Sequence, residues 1–437
     1  MTGSAIDPGA NAAADNHVER VLKKEILTKL ENVDCVALLG SRQVGKTTLA
    51  FEIYESFPDA VYLDLQSPED IKQLGDGEAF FREHPYALIV LDEIQIRPDL
   101  FGVMRAQIDE RRRNLGDKRG RFLILGSASL NLRREASESL AGRISESHLP
   151  ALQLIEVVGP TVARGETAVA GGDVQEGPVQ SDHNGPVQTK ELIDRLWLRG
   201  GYPESFRAAD NATSLEWRRD FIRTYVERDI AALGLNVDGQ TLHRFWELLA
   251  ARQGGLWNRG HSFAADLGLP KPRIEECMTA LKSLLFIREL RPWFANVGKR
   301  LTKSPKYFVR DSGLLHALLN LSTLENVLGH DIAGHSWEGF VIETLINVAP
   351  REHNSFFYRD ENRAEIDLIL ELPRSGFWAI EVKLGDKPEV QRGSVTAAET
   401  VGASRRIVVH SGPETFAARD GFEAMPLLAA CDAVASA

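Results

Sequence analysis

The stretch Gly40-Ser41-Arg42-Gln43-Val44-Gly45-Lys46-Thr47-Thr48 follows the apolar run Cys35-Val36-Ala37-Leu38-Leu39 and leads into the helix-compatible Leu49-Ala50. This is the spacing G-x-x-x-x-G-K-S/T, set between a strand and a helix. Its glycines let backbone N–H groups curl round an anionic triphosphate, and the helix N-terminus adds partial positive charge. Lys46 reaches the outer phosphates, and Thr47 holds magnesium. A second candidate is Ala87-Leu88-Ile89-Val90-Leu91-Asp92-Glu93, an apolar strand that ends in two carboxylates. Asp92 suits the magnesium shell, while Glu93 suits polarising the water that attacks the γ-phosphate. Open parallel sheets bind ligands at the carboxyl ends of their strands, which is where such a pair belongs.

Several elements must position these groups. Val18 to Leu27 has helical apolar spacing and packs beside the site, and Ala60-Val61-Tyr62-Leu63-Asp64-Leu65 supplies a strand between the two motifs. Arg121-Phe122-Leu123-Ile124-Leu125 is a further strand running into Gly126-Ser127-Ala128-Ser129. Ser127 is read either as a γ-phosphate sensor or as part of a turn capping the next helix. Arg143, closing Ser139-Leu140-Ala141-Gly142-Arg143, is read as a transition-state arginine acting in cis or from a neighbouring subunit, or as a surface residue at a helix end.

Taken together, this order of parts resembles the AAA+-type ATPases, in the bacterial and archaeal group whose ATPase module precedes a C-terminal domain of unknown function. The resemblance implies an α/β fold with an extra strand between the two motif strands, and ATP rather than GTP as the nucleotide.

The chain has 437 residues, enough for two or three domains. Its 62 acidic against 51 basic side chains exclude bulk attraction to nucleic acid, so any such contact needs a local patch. Cys35, Cys277 and Cys431 are scattered and odd in number, which suits a reducing compartment and offers no disulfide framework or metal knuckle. With neither a secretory signal nor an apolar stretch long enough to span a membrane, the expected location is the cytoplasm.

The expected organisation is a disordered tail (1–16), an ATPase domain (17–158), a flexible insertion (159–189), a helical lid-like segment (190–240), a winged-helix domain (241–320) and a final α/β domain (321–437). Within the lid, Trp217 to Ile230 is amphipathic, with Phe221, Ile222, Tyr225 and Val226 on one face. Arg223 or Arg228 either senses nucleotide there or belongs to a solvated face. Ser262 to Leu269 and Lys271 to Leu281 read as a helix-turn-helix, and Leu284 to Leu290 with Tyr307 to Val309 as its wing. Lys299, Arg300, Lys303, Lys306 and Arg310 form an acid-free stretch that suits DNA phosphates, or equally a packing contact with the ATPase. Glu275 and Glu276 on the second helix would oppose entry into a DNA groove.

In the last segment, a helix carrying Glu338 precedes a hairpin bearing Asp367 and a strand bearing Glu381 and Lys383. Asp367 and Glu381 fall on adjacent strands, and Lys383 shares a face with Glu381. Two such carboxylates can clamp magnesium and lower the pKa of a bound water. The arrangement resembles the PD-(D/E)XK nuclease superfamily, with Glu365-Ile366-Asp367 in place of the family's proline and first aspartate. That resemblance implies a nuclease-like α/β fold with Glu338, Asp367, Glu381 and Lys383 as its site. Two functions follow as expectations. One is an ATP-driven, DNA-acting enzyme. The other is a regulatory ATPase switch that binds a protein or DNA partner while its C-terminal fold cuts nothing.

Overall fold

A computed structural model describes residues 18–115, 120–127, 139–159, 186–232, 237–257, 261–294, 304–362 and 364–437. The expected tail (1–16) and most of the expected insertion lie outside the described residues, and a helix is already under way at Pro186.

Strand β1 (Cys35–Gly40) is buried at every position, as expected for a strand covered on both faces. With β2 (Val61–Asp64), β3 (Ile89–Asp92), β4 (Phe122–Ser127) and β5 (Ile144–His148) it forms a sheet of order β2-β3-β4-β1-β5. All its pairings are parallel. β4 lies between the two motif strands β1 and β3, supplying the extra strand. Alternate side chains feed two cores. Val36, Leu38, Val90 and Leu123 pack with Ile26, Leu49 and Ile53, whereas Cys35, Ala37, Leu39, Leu91 and Ile124 pack with Phe101 and Met104.

The register sets Gly40 opposite Ser127 and Asp64 opposite Asp92, so these residues share one carboxyl edge. Gly40 is required there because a Cβ would stand 2.7 Å from the Leu149 carbonyl oxygen. Gly45, at φ 95°, turns the loop into the helix Lys46–Tyr54.

Helices at Pro186–Arg199, Pro203–Arg207, Asn211–Ala232 and Gly239–Ala251 follow, then the pair His261–Leu267 and Lys271–Ser283. Next come β6 (Ile287–Pro292) and β7 (Lys306–Val309), an antiparallel pair where the wing was expected. β6 also pairs in parallel with β8 (Asn354–Arg359), through Arg291 opposite Phe356 and Pro292 opposite Phe357. The hairpin is therefore the edge of the C-terminal sheet, and hydrogen bonding runs across the expected boundary at 320.

That sheet continues through β9 (Glu365–Leu372), β10 (Gly376–Lys383), β11 (Arg405–His410), β12 (Phe416–Ala417) and β13 (Glu423–Pro426), in the order β12-β13-β11-β10-β9-β8-β6-β7. The helix Ala333–Val348 buries Val341, Ile342 and Leu345 against Leu368, Leu370 and Ile380. Among the described residues, no helix is long and apolar enough to cross a membrane.

Candidate functional site

The loop 40–48 and the tip of β3 meet at the sheet's carboxyl edge. Thr47, exposed at the start of its helix, donates its hydroxyl to Asp92 Oδ2 at 2.8 Å. The phenol of Tyr62 donates to the same oxygen at 2.7 Å, and the Glu93 N–H donates to Asp92 Oδ1 at 2.8 Å. Asp92 is thus buried and fixed on both oxygens. Burial and the bond to Asp92 push the Tyr62 phenol pKa up, so it stays a proton donor. Glu93 has a left-handed backbone (φ 53°), and Gln95 Nε2 donates to its carboxylate.

Lys46 is buried, with Nζ donating to the Gly40 carbonyl at 3.2 Å and the Ser41 carbonyl at 3.0 Å. Burial lowers its pKa, and the nearby charges of Glu93 and Asp92 oppose that shift. A buried ammonium held by carbonyls at the head of a helix is suited to an anion. In the same loop, Gln43 has φ 61°, Val44 is buried, and Thr48 faces outward.

Four braces on this edge were not apparent in the sequence. Arg20, buried ahead of the first helix, donates to the Val44 carbonyl at 2.8 Å, to Glu156 at 3.1 Å and to the Pro150 carbonyl at 2.6 Å. Tyr202 donates to Ser41 Oγ at 3.0 Å, and the Tyr225 hydroxyl accepts the Arg42 N–H at 3.1 Å. Tyr62 is the fourth. Each is a polar tip on an otherwise apolar pattern, reaching a partner far off in sequence.

The fold also places Arg143, Arg223 and the backbone of Ser127. Arg143 forms a bidentate pair with Asp109 at 2.7 and 2.9 Å, and its carbonyl accepts from Cys35 N, at the opposite end of β1 from the loop. Five residue steps at roughly 3.3 Å each put about 17 Å between them, so Arg143 cannot act in cis on its own chain's site. Arg223 is exposed and paired with Asp220 at 2.6 Å, while the Arg228 side chain lies outside the described residues. Ser127 ends β4 beside Gly40, and its side chain likewise lies outside the described residues.

The C-terminal carboxylates also converge, but around a lysine. Lys306 is 4 % exposed, and its Nζ lies 3.0 Å from Glu338 Oε1, 2.8 Å from Glu365 Oε1 and 3.7 Å from Asp367 Oδ1. Lys383 Nζ sits 2.7 Å from Glu381 Oε1, and Val382 N donates to Asp367 Oδ2 at 2.9 Å. Burial opposes the Lys306 charge, yet Glu338, Asp367 and Glu365 raise its pKa well above normal. Burial also works against charged Glu338, but Lys306 and His335 hold its pKa below the usual range. Asp367 is pushed well up by burial, then by Glu381 and Glu338. Burial also raises Glu381, with Lys383 opposing.

Glu338, Asp367, Glu381 and Lys383 are therefore neighbours. Among the described residues, however, no group of three or more His, Cys, Asp or Glu is arranged to hold a metal ion. Magnesium does not fit between Glu338, Glu365 and Asp367, because the Lys306 ammonium stands where their inner oxygens meet.

Two residues of the expected DNA-facing basic stretch are engaged elsewhere. Lys306 points inward, and Arg310 pairs with Glu343 at 2.7 Å, alongside Arg288. Burial disfavours the Glu343 charge, but the two guanidinium groups lower its pKa to about 2. Desolvated carboxylates required these cations, so neither is available to phosphates. Lys299, Arg300 and Lys303 lie outside the described residues.

A parallel sheet of this order, with a phosphate-type loop after β1 and an aspartate ending β3, defines a P-loop module of the AAA+ ATPase class. Residues 32–158 match a family model described as an AAA domain. Residues 190–325 and 333–430 match two domains of unknown function, DUF8612 and DUF4143. The uncharacterized proteins Rv2008c of Mycobacterium tuberculosis and Mb2031c of Mycobacterium bovis are each 36% identical over 398 residues, covering 91% of this chain and 81% of the relative. The chain belongs to the family of these two mycobacterial proteins.

Solved structures with a partial likeness include the Walker-type ATPase PABY2304 of Pyrococcus abyssi, at 15% identity and TM-score 0.43, covering 70% of this chain and 97% of that one. Another is the Aeropyrum pernix ORC1 protein in complex with DNA, at 14% identity and TM-score 0.29, covering 70% and 93%.

Proposed function

We propose that the chain binds ATP with magnesium at the loop 40–48 and hydrolyses it, and that the nucleotide state is passed to the helical segment and the C-terminal sheet. The observation that carries this is the contact of Thr47 and Asp92 at 2.8 Å beside the buried Lys46 ammonium. Thr47 and Asp92 are hard oxygen donors, and they fit magnesium. The chemistry magnesium supplies when bound is neutralisation of charge on the phosphate oxygens. Gly40 to Thr48 orient the triphosphate, Lys46 draws charge toward its outer oxygens, and Glu93 positions and polarises the attacking water. Ser127 stands at the strand end suited to reporting the γ-phosphate. Arg143 is retained only as a residue offered to a neighbouring subunit, which would require an oligomer.

Two outputs are open to such an ATPase, action on DNA and a switch that engages a protein or DNA partner. The inward, ion-paired positions of Lys306 and Arg310 take two of the five expected cations away from a phosphate-binding role. Tyr202 on Ser41 and Tyr225 on Arg42 are the contacts through which the loop would move the helical segment.

The test is ATP turnover by the wild type and Glu93→Gln, with and without DNA of several forms. Turnover in the wild type, with bound but unhydrolysed ATP in the variant, is expected. Normal turnover by Glu93→Gln removes that residue from its role. Magnesium-dependent nicking of plasmid by the wild type, lost in Asp367→Ala and Lys383→Ala, would establish the DNA-acting output instead.

A further inference from the structure

The C-terminal cluster has the geometry of a cation cage that is already filled. Glu338 comes from the helix Ala333–Val348, and Glu365 and Asp367 come from β9. Each turns one oxygen toward Lys306 Nζ and gives the other to a separate group. His335 Nδ1 lies 3.2 Å from Glu338 Oε2, Arg359 Nε lies 3.6 Å from Glu365 Oε2, and Val382 N donates to Asp367 Oδ2. An ammonium has three N–H donors, and three carboxylates surround it. The outer oxygens are thus held by other groups and the inner ones converge on a single positive charge, as ligands do round a metal ion.

Lys306 is held in register. Gln253, buried, accepts from Val309 N at 2.8 Å and donates back to the Val309 carbonyl at 3.3 Å, clamping β7 at its far end. At the near end, Trp257 N donates to the Pro305 carbonyl at 2.7 Å.

We propose that Lys306 is an internal counter-ion standing in the divalent-cation position of the Glu338–Glu365–Asp367 cluster, so that the C-terminal unit works as a metal-free lock between the β6–β7 hairpin and the sheet. The charge is supplied in cis by the hairpin, and the carboxylates serve to seat β7 instead of activating water. This inference stands apart from the ATPase reading, since none of its residues touches the loop 40–48.

The test is Mn2+ titration of the full chain without nucleotide, read by the electron paramagnetic resonance of free Mn2+. Wild type and Asp367→Asn are expected to take up the same amount, because the cluster holds none. Lys306→Met is expected to gain one Mn2+ per chain, and Lys306→Met/Asp367→Asn to lose it again. A wild-type Mn2+ site that disappears in Asp367→Asn overturns the proposal, and so does folded Lys306→Met with no added site. Should Lys306→Met fail to fold, the comparison of wild type with Asp367→Asn still decides, since it needs no change at position 306.

Discussion

Two buried lysines, Lys46 and Lys306, have opposite surroundings. Lys46 rests on two backbone carbonyls, and burial lowers its pKa. Lys306 rests on carboxylates that overcome burial and raise its pKa. The first is a desolvated charge whose nearest partners are neutral, an arrangement that is stable in a protein when an anion is to be bound. The second is a desolvated charge already matched from within. A buried lysine therefore points to a ligand or to architecture according to the charge of the atoms it touches, and not according to burial itself.

The contrast is open to direct attack. The largest expected effect is on Lys306→Met, which leaves buried carboxylates without their cation. Breaking such a network typically costs about 3–5 kcal/mol, so urea unfolding should show a loss of that size.

Next is Tyr62→Phe, which removes one of the two side-chain hydroxyls on Asp92 Oδ2. Groups that orient a metal ligand are worth on the order of 10–100-fold in metal affinity, so the magnesium concentration for half-maximal turnover should rise by about tenfold with the fold unchanged.

A pH effect belongs to His316. Its ring is buried between the Leu198 carbonyl at 3.1 Å and Ser336 Oγ at 2.7 Å, and burial lowers its pKa from 6.5 to about 3. The folded imidazole stays neutral while the unfolded chain takes up a proton below 6.5, so stability falls as pH drops from 6.5 toward 3. The slope is about 1.4 kcal/mol per pH unit, and His316→Gln should flatten the dependence of the thermal midpoint on pH across that window.

The smallest effect sharpens the comparison. Lys46→Met replaces a charge held by neutral carbonyls, and an apolar residue of similar length should leave stability within about 1 kcal/mol of the wild type. A loss as large as that of Lys306→Met would erase the distinction drawn between the two lysines.

The nucleotide edge was legible in sequence because its parts are local. The loop 40–48 carries its glycines, lysine and threonine in one run, and Asp92 sits at the end of an unbroken apolar strand. The braces were not legible, because Tyr225 is 183 residues from Arg42 and Tyr202 is 161 from Ser41, and nothing local marks their hydroxyls. Arg143 misled for a topological reason. A residue before β5 belongs to the amino edge of a parallel sheet, which becomes visible only once β5 is known to pair with β1.

Lys306 misled through composition. With Lys299, Arg300 and Lys303 close by it reads as a solvated basic run, while its partner Glu338 lies 32 residues on and is brought in by the helix crossing the sheet. The helix, hairpin and strand that carry Glu338, Asp367, Glu381 and Lys383 were readable from alternation and spacing. The cation between them was not, since it arrives from a hairpin that looked like part of another domain.

The account depends first on Lys46 facing an anionic nucleotide. Isothermal titration calorimetry of ATP with magnesium into the wild type and Lys46→Met tests this most directly. One ATP per chain in the wild type and affinity weaker by on the order of 10²-fold or more in the variant is the predicted result. Equal affinity in the two proteins would contradict it.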